Sequence, residues 1–142
     1  MSIRSLRAVV AAKKPPVMIS ADTTVAEAAR RMKEGNTGAA MVLEGTRLAG
    51  IFTERDALFR VLAQAKDPLK TPVASVMTRD PLTIHPDKPF DEALRMMHEG
   101  RFRNVPVVEH GRPLGMVSVR DALDPELAEL RQTLGTRELV RD

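Results

Sequence analysis

Two short segments of the chain carry the residue types that bind an anion and a diol. Thr53 to Asp56 combines a hydroxyl, an arginine and a carboxylate, and Ser118 to Asp121 repeats that set with the same spacing. A hydroxyl and a guanidinium donate to phosphate oxygens, and a carboxylate accepts paired hydrogen bonds from a ribose diol. The combination indicates a nucleotide site. A simple helix cap would use the same residues, so that alternative stays open.

The two segments belong to two copies of one longer pattern. At an offset of 65 residues, positions 17–58 and 82–123 align without a gap and share 16 of 42 residues. Unrelated segments would share roughly 6%. The chain is therefore predicted to contain an internal duplication that keeps the hydroxyl, the arginine and the aspartate in both copies.

Each copy begins with a predicted strand and helix. The strands are expected at 17–19 and 82–84, each after a short helix. Thr24 and Glu27 have the spacing of a capping box, and Gly35 stops the first helix. In the second copy, Pro89 is expected to be the first helical residue, because its fixed φ suits that position.

A pair of strands and a second helix complete each copy. Short apolar runs around glycine-containing turns predict strand pairs at 39–43 with 48–52 and at 104–108 with 114–117. Helices are expected to follow from Glu54 to about Gln64 and from Val119 to about Leu123.

One copy of about 50 residues cannot bury both faces of its sheet, whereas two copies packed together can. We therefore predict an α+β protein (an α/β sandwich) of two pseudo-symmetric β-α-β-β-α repeats. The repeats are expected at residues 7–66 and 73–124, and a tail helix with a leucine stripe at 125–142. Clefts between such repeats are common ligand sites.

Composition excludes several classes of function. The 142 residues are 43% apolar and 29% charged, a globular balance, and contain no cysteine. Disulfides, thiolate nucleophiles, zinc fingers and iron–sulfur clusters are thereby excluded. The three histidines lack ligand spacing and no catalytic grouping can be placed, so we expect neither a metal site nor an enzyme. With no apolar run near the ~20 residues of a bilayer span, a cytoplasmic protein is expected.

One pattern occurs at both 50–56 and 115–121: glycine, two apolar residues, Thr or Ser, any residue, Arg and Asp. It resembles the junction motif of cystathionine-β-synthase (CBS) domains. With the strand at 105–108 and the tandem copies, the resemblance is to a CBS pair, or Bateman module, and covers about residues 7–124. It implies a regulatory module that binds AMP, ADP, ATP or NAD(H), ahead of S-adenosylmethionine, and has no catalytic cofactor. It also implies a homodimer that signals energy or redox state to a separate effector protein.

The resemblance also implies two clefts, each built from both repeats. One would combine the second junction with small residues of the first repeat: Ser118, Arg120, Asp121, Ser20, Ala21, Thr37, Gly38 and Ala39. The other would combine the first junction with residues of the second repeat: Thr53, Arg55, Asp56, His85, Phe102, Arg103 and Asn104. The second copy has Arg103 where the first has Gly38, and from this difference we predict that the Asp121 cleft binds phosphate-rich adenosyl ligands more tightly.

A nucleic-acid-binding or purely structural adaptor is the alternative. The sequence pI of 9.7 suggests it, but the net charge is only +3 and aromatic residues, all Phe, make up 3% of the chain. Without Cys or Tyr, a small excess of arginine holds the pI high. Membrane association is not expected, and nucleic acid is the weaker interpretation.

Overall fold

The computed structural model describes residues 4–123. The first repeat contains β1 (Met18–Ser20), α2 (Val25–Glu34), β2 (Ala39–Glu44), β3 (Arg47–Thr53) and α3 (Glu54–Asp56), and a short helix α1 (Leu6–Ala11) precedes it. The chain continues from α3 in wider, π-helical turns over Ala57–Leu62. In these turns the Ala63 N–H donates to the Leu58 carbonyl five residues earlier, at 2.9 Å.

The second repeat has a helix and a strand pair of similar length, but only an isolated bridge in place of β1. A 3-10 turn (Val73–Ser75) and β4 (Thr78–Arg79) lead to α4 (Phe90–Gly100), the strands β5 (Asn104–Glu109) and β6 (Arg112–Ser118), and a 3-10 turn (Val119–Ala122). None of the helices in residues 4–123 is long and apolar enough to cross a membrane.

Each repeat is built on an antiparallel hairpin. The first sheet has the order β1-β2-β3-β4, with β1 parallel to β2 and the other pairs antiparallel. The second sheet contains β5 and β6, and Ile84 adds a parallel bridge to Val107. The register pairs Ala39 with Thr53 and Asn104 with Ser118. Each junction hydroxyl therefore lies beside the residue with which the preceding strand begins.

The segment between the repeats completes the N-terminus of α2. The Thr24 hydroxyl accepts from the Glu27 N–H at 3.2 Å. The Val25 and Ala26 N–H groups donate to the carbonyls of Thr71 and Pro68. Three amides of the first turn thus have partners, which a helix end requires.

The segment at the start of each half of the chain packs in the core of the other half. Leu6 and Val9 of α1 are buried with Phe90, Met97 and the strands of the second repeat. Val73, Val76 and Met77, at the start of the second half, are buried in the core of the first. The two halves therefore exchange their leading segments.

Two glycines allow this exchange. A Cβ placed on Gly115 would lie 2.3 Å from Val10 Cγ1, and one on Gly50 would lie 2.5 Å from Met77 Sδ and 2.7 Å from the Thr78 carbonyl oxygen. Such distances are far shorter than a van der Waals contact. Both glycines of the repeated motif are thus needed because a leading segment crosses directly above them.

A small apolar cluster joins the two repeats. Ala39, Met41 and Ile51 of the first repeat are buried against Met116 of the second, with Met18 and Leu48 packed around them. Leu48 also donates its N–H to the Gly111 carbonyl at 3.4 Å. The β2–β3 hairpin of one repeat therefore faces β6 of the other.

The α+β class and the paired repeats are confirmed, but several predicted elements differ in detail. At 82–84 only Ile84 pairs, through a single bridge, so the prediction of a strand there is wrong. Pro89 is the N-cap rather than the first helical residue, because its ψ of 154° is extended. The unexpected β4 forms where Thr78 and Arg79 reach the edge of β3. The predicted tail helix lies outside the described residues.

Candidate functional site

The first junction is a closed capping box at the end of β3. The Thr53 hydroxyl accepts from the Asp56 N–H at 3.2 Å, and Asp56 Oδ2 accepts from the Thr53 N–H at 2.9 Å. Each residue satisfies a backbone amide of the other, which fixes the carboxylate relative to the strand. The cap and the proposed site therefore use the same side chains.

The second junction lies at the end of β6. There the Ser118 N–H donates to Asp121 Oδ2 at 2.8 Å, as the Thr53 N–H does to Asp56 Oδ2 at the first junction. Asp56 is 7% exposed and Asp121 is 5% exposed, and they are the only buried charged residues in the described range 4–123. Burying a carboxylate is costly unless it is paired and hydrogen-bonded.

Each buried carboxylate has a cation beside it, and the two cations come from different elements. Arg60 Nε lies 3.5 Å from Asp56 Oδ1, one helical turn after it. Lys13 Nζ lies 2.8 Å from Asp121 Oδ2 and donates at the same distance to the Met116 carbonyl. Arg4 also donates to the Asp121 carbonyl at 3.1 Å. The segment around α1 therefore holds the second junction at two points.

The residues before β2 and β5 lie beside the junction of their own repeat. The Gly38 carbonyl accepts from the Glu54 N–H at 2.8 Å, and the Arg103 carbonyl accepts from the Val119 N–H at 3.2 Å. The Glu54 side chain covers Gly38, where a Cβ would meet its carboxylate at 2.6 Å. The structure thus joins Gly38 to the Thr53 side and Arg103 to the Ser118 side through the backbone.

Contact across the two repeats is made at Ala39. This residue pairs with Thr53 in its own sheet and is buried against Met116, two residues before Ser118. Thr37 accepts from and donates to Ala39 through its hydroxyl. Ala39 is therefore the predicted site residue that the structure places between the two junctions.

A family model for the CBS domain matches the chain twice, at residues 6–63 and 73–125. The chain belongs to the CBS-domain family. The CBS domain-containing protein YhcV of Bacillus subtilis is 34% identical over 103 residues, which are 72% of this chain and 73% of that protein. The first Arabidopsis thaliana relatives are longer: the chain spans 22% of CBSCBSPB1, to which it is 36% identical over 118 residues.

Solved structures of CBS-domain proteins share the fold. The CBS domain protein PAE2072 from Pyrobaculum aerophilum, complexed with AMP, superposes with a TM-score of 0.76 at 27% identity over 89% of this chain and 99% of that chain. The CBS domain pair of protein MJ0100, in complex with 5′-methylthioadenosine and S-adenosyl-L-methionine, gives 0.78 at 26% identity over 90% and 99%.

The other predicted residues of the first CBS domain are used locally. Ser20 is bonded to Asp22 and Thr23 through its hydroxyl. Ala21 packs against the first core and its carbonyl accepts from the Ala74 N–H. Arg55 lies over the Phe59 ring, 5.2 Å from its centre.

In the second CBS domain, Phe102 packs against the core and Asn104 begins β5 beside Ser118. Arg120 is exposed on the turn after β6. Apart from Lys13 and Arg4, which reach Asp121 from the start of the chain, the polar side chains of each junction come from a single domain, and the contact of Ala39 with Met116 is apolar.

His85 lies in a surface cluster with carboxylates. Its ring nitrogens are 3.7 Å from Asp87 Oδ2 and from Glu109 Oε2. Arg7 of α1 pairs with both carboxylates, at 3.0 and 2.9 Å. The hydrogen bond from Arg7 lowers the pKa of Glu109 below its usual value, and the pKa of Arg7 is raised in return. A metal ion held by His85, Asp87 and Glu109 would have to displace this guanidinium.

Sequence reasoning missed Lys13 and Arg60. Arg60 stands four residues after Asp56, a helical spacing that can pair opposite charges. Lys13 is 108 positions from Asp121, and no local pattern connects them. Only the exchange of α1 onto the second domain brings the two together.

Proposed function

We propose that the chain is a regulatory module that binds adenosyl nucleotides at its two junctions. The observation that carries the proposal is the pair of buried carboxylates, Asp56 and Asp121, each of which accepts the N–H of the Thr or Ser that ends the equivalent strand. The AMP complex of PAE2072 and the adenosyl complex of MJ0100 support this ligand class.

The chemistry of each junction suits a ribose phosphate. One carboxylate oxygen caps the backbone, and the other oxygen can accept hydrogen bonds from a ribose hydroxyl. A Thr or Ser hydroxyl lies beside it, and the residue just before each aspartate, Arg55 or Arg120, supplies a positive charge.

The finer proposal concerns what the ligand does. We propose a cytoplasmic homodimer that senses AMP, ADP, ATP or NAD(H) and passes the energy or redox state to a separate effector protein, without catalysis of its own. A ligand can transmit a signal only if it binds one arrangement of the two domains better than another. The exposed Leu58, Phe59 and Leu62 beside the first junction offer a surface for the second copy.

A thermal-shift panel tests the ligand class. At ~100 times its dissociation constant, a ligand should stabilise the protein by ~2.7 kcal/mol. We expect AMP, ATP, NADH or S-adenosylmethionine to raise the melting temperature, with duplex DNA as the comparison. A rise with DNA alone would support the nucleic-acid adaptor and exclude the proposal.

Calorimetric titration of Asp56→Asn and Asp121→Asn tests the two junctions separately. Asparagine keeps an oxygen for the cap but loses the charge, so each variant should weaken binding at its own site by about 10-fold or more. We expect Asp121→Asn to lower ATP affinity more than Asp56→Asn does. Glu44→Gln is the control, because Glu44 is exposed at the end of β2 away from the first junction. Equal losses of ATP affinity would contradict the asymmetry.

A further inference from the structure

The contact between Lys13 and Asp121 differs from an ordinary surface ion pair. The carboxylate is 5% exposed, whereas the Lys13 side chain keeps about a third of its surface in solvent. The ammonium donates to Asp121 Oδ2 and to the Met116 carbonyl, both at 2.8 Å. Lysine has three N–H donors, so one donor is left for another acceptor.

The hydrogen bonds at Asp121 also leave one carboxylate oxygen available to a ligand. The Ser118 N–H and the Lys13 ammonium both donate to Oδ2. Among residues 4–123, none donates to Oδ1, whose lone pairs can accept a ribose hydroxyl. An anionic group attached to that ribose would then lie near a flexible ammonium with an unused donor.

The first junction lacks this arrangement. The residue 65 positions after Lys13 is Thr78, which is neutral. The cation near Asp56 is Arg60, which lies at 3.5 Å and donates to the carbonyls of Val76 and Met77. Among residues 4–123, a lysine ammonium that donates a hydrogen bond directly to the junction carboxylate is therefore found only at the second junction.

We propose that Lys13 is a specificity-determining residue of the Asp121 site, selecting adenosyl ligands that carry a phosphate over uncharged adenosines. The proposal rests on the nucleotide-binding function proposed above. Lys13 shares its ammonium between Asp121 and the ligand phosphate, so the charge of the ligand decides how strongly it binds. Because Lys13 follows α1 directly, the same contact ties ligand charge to the docking of α1.

Titration of AMP and adenosine against Lys13→Met tests the proposal. The variants are made in an Asp56→Asn background, which weakens the first junction, and binding is measured calorimetrically. Lys13→Met should lower AMP affinity about 10-fold or more, while adenosine affinity changes less than about threefold. Lys13→Arg, which keeps the charge, should retain most of the preference for AMP.

Lys14→Met is the matched control, since it removes the same charge from the adjacent exposed residue. It should leave both affinities within about twofold of the parent. Equal losses for AMP and adenosine would show a merely structural role, and unchanged AMP affinity would show no role; either result overturns the proposal. A parent protein that binds neither ligand overturns the proposed function itself, which distinguishes the two failures.

Discussion

The carboxylates of Asp56 and Asp121 serve the backbone whether or not a ligand is present. Each accepts the N–H of its own Thr or Ser, and each is nearly buried. A cap and a nucleotide site are therefore compatible uses of one side chain, because the cap occupies one oxygen. From the sequence, a helix cap and a nucleotide site were alternative interpretations. In the structure the capping hydrogen bond orients the carboxylate, so both interpretations can hold.

Glu109 gives a pH dependence at the residue scale. The Arg7 hydrogen bond lowers the pKa of Glu109, so its folded value lies below the usual 4.5. Such a group contributes stability above the unfolded pKa, and the contribution is lost as the pH falls through the folded pKa. Glu109→Gln should therefore lower the melting temperature slightly at pH 7, and the difference from the parent should close below about pH 4.5.

The measurement is a series of melting curves from pH 7 to pH 3. The effect is small because Glu109 and Arg7 are solvent-accessible and Arg7 keeps its contact with Asp87. Glu44→Gln, at the equivalent position of the first domain, is the control and should show no such closing difference. A difference that grows towards low pH would contradict the assignment to Glu109.

At the scale of elements, α1 packs in the core of the second domain although it comes first in the chain. Leu6 is fully buried in the second core, so Leu6→Ala should destabilise the protein by about 2–5 kcal/mol. Because Lys13 follows α1, the same substitution should weaken AMP binding at the Asp121 site more than at the Asp56 site. Urea unfolding and titration measure the two effects.

Leu69→Ala is the matched control for this experiment. Leu69 is 73% exposed in the segment between the domains, so its truncation should cost little. If Leu6→Ala were as mild as Leu69→Ala, the packing of α1 on the second domain would be wrong.

Sequence patterns located most elements because each depends on near neighbours. The β2–β3 hairpin, the glycine turns and the N-cap at Thr24 follow from local periodicity and turn chemistry, and all are present. The pairing of Thr78 with Ile51 and the loss of a full strand at 82–84 depend on which edge the leading segments reach. Local spacing carries no information on that choice.

The candidate site shows the same division. The hydroxyl and the aspartate of each junction were predictable because both stand within four residues of each other. Lys13 and Arg4 were not, since more than 100 residues separate them from Asp121. The assignment of residues across the domains stays a prediction, apart from the contact of Ala39 with Met116.

At the scale of the whole molecule, the cluster between the domains is small and rich in methionine. Met41, Met116 and Met18 supply flexible side chains that adapt to small shifts. The exchanged segments, rather than this cluster, bind the halves together. We therefore expect a single cooperative unfolding transition, even in a Met116→Ala variant.

Differential scanning calorimetry checks this expectation, because the chain has no Trp or Tyr for fluorescence. The calorimetric and van't Hoff enthalpies should agree for the parent and for Met116→Ala. Met32→Ala, a similar truncation inside the first core, is the comparison and should lower the melting temperature without splitting the transition. Two separate transitions in the parent would contradict the coupling of the halves by exchange.

The exchange of α1 has a consequence during synthesis. The apolar residues Leu6 and Val9 leave the ribosome about 110 residues before β6, against which α1 packs, is complete. At roughly 5–20 residues per second, these side chains wait on the order of 5–20 s without their partner strands. The nascent first half therefore exposes the apolar face of α1. Chaperone binding to this segment should end only when the second half has been translated.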